Sequence, residues 1–378
     1  MLLALYERGT LRADIIELLK TVKSKDVFII AVNTLKINPA SLSKDLVDVY
    51  IEKENFGRDF SSYQTGMKYI YNSKISDTCE RLLMLNDSVF YSVKGLNKFI
   101  NDLYNTDIDV LGATENHYMS RHLGSFCISI TGDIIRSSQL KTFWENYKLS
   151  NVRPVVIHRG EFVLSRTLKS LARNDDNFKA LYNASRFEKD LSQDDNFLKN
   201  YHYFCREGVE YIYGSRLTFK DDYIFESFYQ KYLRKKKRNM LEEKLSMAEN
   251  EPDYHDEKYE KNLINYLDFS EFLEQIDFGK TYKGHVLKER LVSRYLDEFI
   301  KDSQIHNNCI VLHYMGLPII KLDLHYRMVC NYYDIVKIRQ QLDSSQQEQF
   351  MALFTGKPDG KRFLTGINRI AFHLGILW

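Results

Sequence analysis

The stretch Asp26–Asn33, DVFIIAVN, sets six apolar residues in a row, most of them β-branched, between polar ends. A run this short and continuous reads as a strand covered on both faces, which requires helices on either side of its sheet. The same demand recurs along the first 170 residues. LLALY (Leu2–Tyr6), DVYIEKEN (Asp48–Asn55), RLLMLND (Arg81–Asp87), IDVLGATE (Ile108–Glu115) and SFCISIT (Ser125–Thr131) are strand-like. Helical spacing separates them at Asp14–Val22, through Ile15, Leu18 and Leu19, and at Phe60–Tyr71. The rhythm predicts an α/β fold with a Rossmann-like, mostly parallel sheet flanked by helices. Ligands of such sheets sit beyond the carboxyl ends of the strands. Those ends are Tyr6–Arg8, Asn33 and Thr34, Asn55–Asp59 and Asn86–Ser88, which makes Tyr6 and Asn33 candidates by position alone.

Near Tyr182 the character changes to long, charged, Tyr- and Phe-rich helical stretches. QKYLRKKKR (Gln230–Arg238) is strongly basic and Glu242–Glu260 acidic on balance, so Lys235–Asp256 reads as a solvated helix or linker. Tyr259–Lys301 is expected to be helical throughout. Ile310–Leu324, IVLHYMGLPIIKLDL, is apolar with a Gly-Leu-Pro turn in its middle. These shifts suggest a core domain at 1–205, a charged helical insertion at 206–300, and a C-terminal region at 301–378 that completes the core. The last stretch joins Lys361, Arg362 and Arg369 to Phe363, Leu364, Ile367, Ile370, Phe372, Leu374 and Trp378. That composition suits a docked terminal helix or one lying on a membrane surface.

Charge narrows the functional classes. With 53 Lys and Arg against 51 Asp and Glu, the formal charge is +2, and a bulk nucleic-acid binder would carry a large basic excess. No nucleic-acid partner is expected, and the run Arg234–Arg238 reads as a solvated helix face. The five cysteines, Cys79, Cys127, Cys205, Cys309 and Cys330, are scattered with no pair at CxxC spacing. This fits a reducing compartment and neither a disulfide framework nor a zinc site. The N-terminus reaches Glu7 too soon for a signal-peptide core or a membrane span. A cytoplasmic protein, soluble or peripheral, is expected.

Four constellations carry chemistry. In NFGRD (Asn55–Asp59), directly after the third strand, the glycine lets backbone amides approach a ligand. Arg58 suits phosphate oxygens and Asp59 a ribose hydroxyl or base; Asp59 equally suits a plain helix N-cap. In NDSVF (Asn86–Phe90), Asp87 is placed to hold a divalent cation, Mg²⁺ or Mn²⁺, against a diphosphate. Two acids are usual in that role; here Asn86 and Ser88 offer neutral oxygens, and Asp87 also suits a turn cap. In HRGEFVLSRTL (His158–Leu168), Glu161 stands at the start of an expected helix, where the dipole stabilises it whatever its function. It also suits a general base acting on an acceptor hydroxyl. In ATENHY (Ala113–Tyr118), Glu115 and His117 form an acid/base pair or a polar loop. His306 and His313 are core histidines, or closers of a metal site with Asp87.

Together the motifs resemble a known family. ENFGRDFSSYQTGMKYI, LLMLNDSVFYSVKGLNKFI, DVLGATENHY, LGSFCISIT, the pair Phe143-Trp144 and NNCIVLHYMGLPIIKLDL fall in the order and spacing of the rhamnan synthesis protein F family. The resemblance runs from about Ala4 to Leu324 and leaves out Arg234–Asp277. It implies a bacterial cell-surface polysaccharide glycosyltransferase with a nucleotide-sugar-binding fold of the GT-A type. Laid on matching residues, it implies nucleotide contact at Asn55, Gly57 and Asp59. Asn86-Asp87-Ser88 stands in the place of an Asp-x-Asp metal-diphosphate motif. Glu161 stands where inverting members carry the base, ahead of Glu115.

The expected activity is inverting transfer of a sugar from a nucleoside diphosphate donor, dTDP-rhamnose or a UDP-sugar, onto a growing surface glycan such as O-antigen, capsule or rhamnan. The acceptor is expected to be lipid-linked, with Lys361–Trp378 holding the enzyme at the inner face of the membrane. Two alternatives come from other classes. One is an inactive relative that binds nucleotide or glycan in an assembly complex, to which the lone acid at Asp87 points. The other is a nucleic-acid-binding module centred on Lys231–Arg238, against which the near-zero net charge counts.

Overall fold

The computed structural model describes residues 1–38, 42, 45–117, 120–206, 222–246, 266–356, 364 and 366–373. Two compact units emerge. One is built from Met1–Arg186 and the chain from Ile300 onward; the other from Phe187–Cys205 and the described residues between 222 and 299.

The first unit carries the sheets. Its strands are β1 (Leu2–Leu5), β2 (Ile30–Asn33), β3 (Val49–Glu52), β4 (Arg81–Asn86), β5 (Val89–Tyr91), β6 (Val110–Gly112), β7 (Glu115–Asn116), β8 (His122–Leu123), β9 (Cys127–Thr131), β10 (Phe178–Ala180) and β11 (Ile319–Lys321). Seven of them form one sheet in the order β10-β6-β9-β4-β1-β2-β3. β1 pairs in parallel with β2 and β4, and β2 with β3. The fold is therefore α/β with a mostly parallel central sheet flanked by helices, and a helical C-terminal region follows.

The six expected strands are all present, each shorter than the segment expected for it. The sixth, β9, runs antiparallel to both β4 and β6. Its connection from β6 holds the small β7–β8 hairpin and no helix, and a parallel neighbour needs a long crossover, usually helical. β10, too short to stand out in the sequence, adds in parallel to β6 at the edge.

Both sheet faces are covered. Leu2, Ala4, Ile30, Val32 and Met84 pack with Phe60, Tyr63, Met67 and Trp144, while the alternate residues Leu3, Leu5, Ala31, Leu83 and Leu85 are equally buried. Apolar runs on both faces are what a doubly covered sheet requires. The helix Arg58–Asn72 lies close on β1 because Gly66 has no side chain. A Cβ there would stand 2.1 Å from Leu2 Cδ1.

The chain beyond Ile300 returns to this unit. β11 pairs antiparallel with β5, setting Ile319 opposite Tyr91 and Lys321 opposite Val89. Gln346 adds two bonds, accepting from Val93 N at 2.8 Å and donating to Tyr91 O at 2.9 Å. The apolar stretch from Ile310 divides as its Gly-Leu-Pro turn predicts, into the helix Cys309–Tyr314 and β11. All five cysteines are free, and the buried Cys309 and Cys330 touch, Sγ to Sγ at 3.4 Å.

The second unit is helical and held by aromatic rings. Phe187 stacks on Phe299 at 4.2 Å and Tyr201 meets Tyr295 at 4.1 Å. The expected continuous helix over Tyr259–Lys301 is broken: Tyr266–Glu274 and Tyr282–Phe299 are separate helices, and the residues before Tyr266 lie outside those described. The basic run lies in the helix Tyr223–Ser246, where Arg234, Lys235, Lys237 and Arg238 are exposed and Lys236 pairs with Glu271 at 2.6 Å. Within the described residues no helix is long and apolar enough to cross a membrane. The helix Gly366–His373 exposes Ile367 and Ile370. Lys361, Arg362, Phe363, Leu374 and Trp378, read with it as a surface helix, lie outside the described residues, as does Tyr118.

Candidate active site

A cavity of about 1680 Å³ opens at the carboxyl ends of the strands of the first unit, the edge where such sheets bind ligands. Tyr6, Asn55, Arg58, Asp59, Asp87, Ser88, Glu115 and Glu161 line it. Eight of the residues singled out by sequence thus come together. Asn33, Gly57 and Asn86 do not line it, and each has a different occupation.

Asn33 is fully buried, donating to Glu7 O, Leu35 O and Tyr50 Oη and accepting from Glu7 N. It ties together the loops after β1 and β2. Gly57 has φ +91°, a left-handed conformation, and its N–H donates to Asn151 Oδ1 at 2.7 Å. It shapes the turn that presents Arg58, whose Nε donates to Asn151 O at 2.9 Å. Asn86 links two cavity residues: its Nδ2 donates to Asp59 Oδ2 at 2.8 Å, and its Oδ1 accepts from Ser88 Oγ at 2.7 Å. With its amide spent in this way, Asn86 positions Asp59 and Ser88.

Asp87 is 7% exposed, and its carboxylate accepts the backbone N–H of Tyr6. Burial pushes its pKa up to about 7, with Arg12 opposing and Glu7 reinforcing the rise. Arg12 is the strut of this corner. It donates to Asp87 O at 3.0 Å and Val89 O at 2.7 Å, and pairs with Asp14 at 3.0 Å and Glu7 at 3.3 Å. Asp59 is likewise raised by burial, with Lys321 opposing.

The structure corrects the setting of Glu161. It does not open a helix; the helix begins at Arg153 and Pro154, a residue suited to a first turn. Glu161 lies within the π-helical turn Ile157–Phe162, which continues into the helix Val163–Leu171. First-turn stabilisation by the dipole is therefore not what holds it. Ser125 Oγ donates to its Oε1 at 3.1 Å, and His122 Nε2 lies 3.7 Å from Oε2. Burial alone would raise this carboxyl; His122, Lys321 and Arg153 outweigh it and hold it below its ordinary value. His122 Nδ1 faces Ser120 O at 2.8 Å, which can only accept, so that nitrogen carries a proton.

Glu115 is engaged differently. Arg121 Nε donates to its Oε2 at 2.7 Å, with His117 3.5 Å from the same oxygen. Its carboxylate, on the cavity wall, is thus committed to a guanidinium. His306 also reaches the cavity, but beside Asp323: its Nε2 is 3.2 Å from Asp323 Oδ1, and Arg327 donates to Asp323 Oδ2 at 2.8 Å. Burial pushes His306 down to about 4. His313 is buried, Nδ1 3.0 Å from Leu317 O, the satisfied core histidine of the two.

A family model described as rhamnan synthesis protein F matches residues 27–313, more than half of the 378 residues. The chain belongs to the rhamnan synthesis protein F family. Among curated relatives, a protein named virulence protein VirA from Vibrio anguillarum is 33% identical over 97 residues, covering 26% of this chain and 30% of that protein. An uncharacterized protein, y4gN, from Sinorhizobium fredii is 22% identical over 196 residues, 48% of this chain and 50% of its own length. The chain thus spans half or less of the length of these relatives. No solved structure matches it significantly.

In this member of the rhamnan synthesis protein F family, the donor set does not favour a divalent ion at Asp87. Among the described residues no cluster of three or more His, Cys, Asp or Glu is placed to hold a metal. The position two residues from Asn86, where a second acid would stand, is Ser88, and its hydroxyl accepts from an ammonium, Lys321 Nζ, at 2.9 Å. The sequence reading passed over Lys321, along with Arg12, His122, Arg153, Asp323 and Arg327. One signal was available. Lys321 and Asp323 are the two charged residues in the apolar stretch Ile310–Leu324, and a charge inside such a run needs a buried partner or a ligand.

Proposed function

We propose that this chain is an inverting glycosyltransferase of polysaccharide synthesis, acting on a nucleoside diphosphate sugar. dTDP-rhamnose and UDP-sugars are the donors to try first, and the acceptor is a hydroxyl of a lipid-linked glycan met at the inner face of the cytoplasmic membrane. What carries this reading is one arrangement. An ionised carboxylate, Glu161, braced by Ser125 and His122, shares a cavity with the turn Asp87-Ser88 and with Arg58.

In the reaction the acceptor oxygen forms its bond to the anomeric carbon as the carbon–oxygen bond to the diphosphate breaks. Glu161 takes the acceptor proton. Its lowered pKa keeps it ionised at neutral pH and so available as a base. The electron pair of the broken bond leaves on the diphosphate, whose charge Arg58, Arg153 and Arg327 in the cavity wall are disposed to offset. Asp87, tied to the Tyr6 amide, fixes the loop against which the nucleotide lies.

The test is nucleoside diphosphate release from a panel of nucleotide-sugars, supplied with a bacterial glycolipid extract as acceptor. Release from one donor, with inversion at the transferred carbon, is the expected result. Tight nucleotide binding without release under these conditions would move the assignment to a non-catalytic subunit.

A further inference from the structure

We infer that Lys321 supplies the fixed positive charge that binds the substrate's diphosphate in this cavity, doing there what a divalent cation would otherwise do beside Asp87. The identity of the reaction rests on the transfer proposed above; the binding claim stands on the geometry of Lys321 itself.

Lys321 is the last residue of β11, and backbone pairing sets its place. It lies opposite Val89, and the next residue, Leu322, donates its N–H to Ser88 O at 3.2 Å. A strand separated by more than two hundred residues thus delivers one lysine to the turn that follows β4. The side chain is held as well, with Nζ 2.9 Å from Ser88 Oγ and 4.6 Å from the centre of the Phe126 ring. This is a held ammonium on a packed stem, unlike a mobile surface lysine.

Its electrostatic setting is consistent with a waiting ligand. Burial lowers the Lys321 pKa, while Asp323, Asp59 and Glu161 oppose that fall and favour the charge. An ammonium has three donors, and Ser88 Oγ takes one. The residue at position 88 then becomes informative. An acid there would lock Nζ in an ion pair; a neutral hydroxyl orients it and leaves its charge for an incoming anion. The single acid of the Asn86-Asp87-Ser88 turn and the lysine opposite it explain each other. As the glycosyl bond breaks, the departing diphosphate oxygen takes the electron pair and accepts a hydrogen bond from Nζ, which keeps its proton; the acceptor's proton goes to Glu161.

The experiment is titration calorimetry of the full chain with UDP, dTDP and inorganic pyrophosphate, each in EDTA and in Mn²⁺. Binding in EDTA within about twofold of that in Mn²⁺ is expected for at least one nucleotide and for pyrophosphate. Lys321→Met should weaken it by about 10- to 100-fold, as loss of a charge-assisted bond does, with Lys321→Arg weakened less. Binding that requires Mn²⁺, or that survives Lys321→Met in a folded protein, overturns the inference and leaves the transfer reading standing. Absence of binding by every probe in both buffers overturns both. Should Lys321→Met not fold, the wild-type chain decides. Pyrophosphate in EDTA is expected to slow reductive methylation of Lys321, mapped by mass spectrometry, and equal labelling with and without it would overturn the inference.

Discussion

Glu161 and His122 face each other across 3.7 Å, carboxylate oxygen to Nε2, while the other imidazole nitrogen is anchored on Ser120 O at 2.8 Å. The pair couples a buried ring to a carboxylate on the cavity wall. It gives the proposed base a defined orientation.

Glu161→Gln keeps the shape and the Ser125 contact but removes the basic oxygen. Nucleoside diphosphate release from the preferred donor should fall by about 10²- to 10⁴-fold, the usual worth of a general base. Donor affinity, read by calorimetry, should change by less than about threefold. A turnover within tenfold of wild type would send the search for the base to Glu115.

His122 lowers the Glu161 pKa, so its removal should act through pH. In His122→Phe the carboxyl rises toward its ordinary value, and it takes up its proton at a higher pH. The acid limb of kcat/KM against pH should move to higher pH. A purely structural role would lower the whole profile without displacing that limb.

Asp87 makes a stability prediction. Its folded pKa of about 7 lies above the ordinary aspartate value of 3.8, so in that window the folded state holds a proton that the unfolded state has released. Stability therefore falls as pH rises from about 4 to about 7. Asp87→Asn cannot titrate there. In EDTA without nucleotide, the Tm of Asp87→Asn relative to wild type should climb by about 2–4 °C between about pH 5 and about pH 8. A difference independent of pH would show that Asp87 ionises like an exposed aspartate.

Gly57→Ala tests the turn before Arg58. The φ of +91° disfavours any side chain, and a Cβ would stand 2.7 Å from Ser61 Cβ and 3.0 Å from Leu149 Cδ2. Destabilisation by about 1–3 kcal/mol is expected in denaturant titration, with weaker donor binding because Arg58 moves with the turn. An unchanged midpoint would mean that the turn relaxes freely.

Much of this was legible in the sequence for physical reasons that also mark its limits. Buried strands such as Ile30–Asn33 announce themselves through continuous apolar residues, and the polar breaks after them located Asp59 and Asp87. Glu161 was found as an acid near an apolar helical face, but its π-turn was not, because nothing in Ile157–Phe162 differs from ordinary helix periodicity. The direction of β9 was hidden too, since strand patterning carries no polarity. Lys321 escaped because its partner, Ser88, is brought to it by pairing between distant segments. Spacing along the chain cannot show that.

The pairing of β11 with β5 also has a consequence in time. A polypeptide emerging from the ribosome N-terminus first exposes β1 to β10 well before Lys321 has been translated, and early segments begin to organise during synthesis. The nascent core then carries an incomplete cavity, lacking the wall that Lys321 and Asp323 supply. The last wall closes only when a strand made much later docks at β5, so the cavity is finished only after Lys321 has been made.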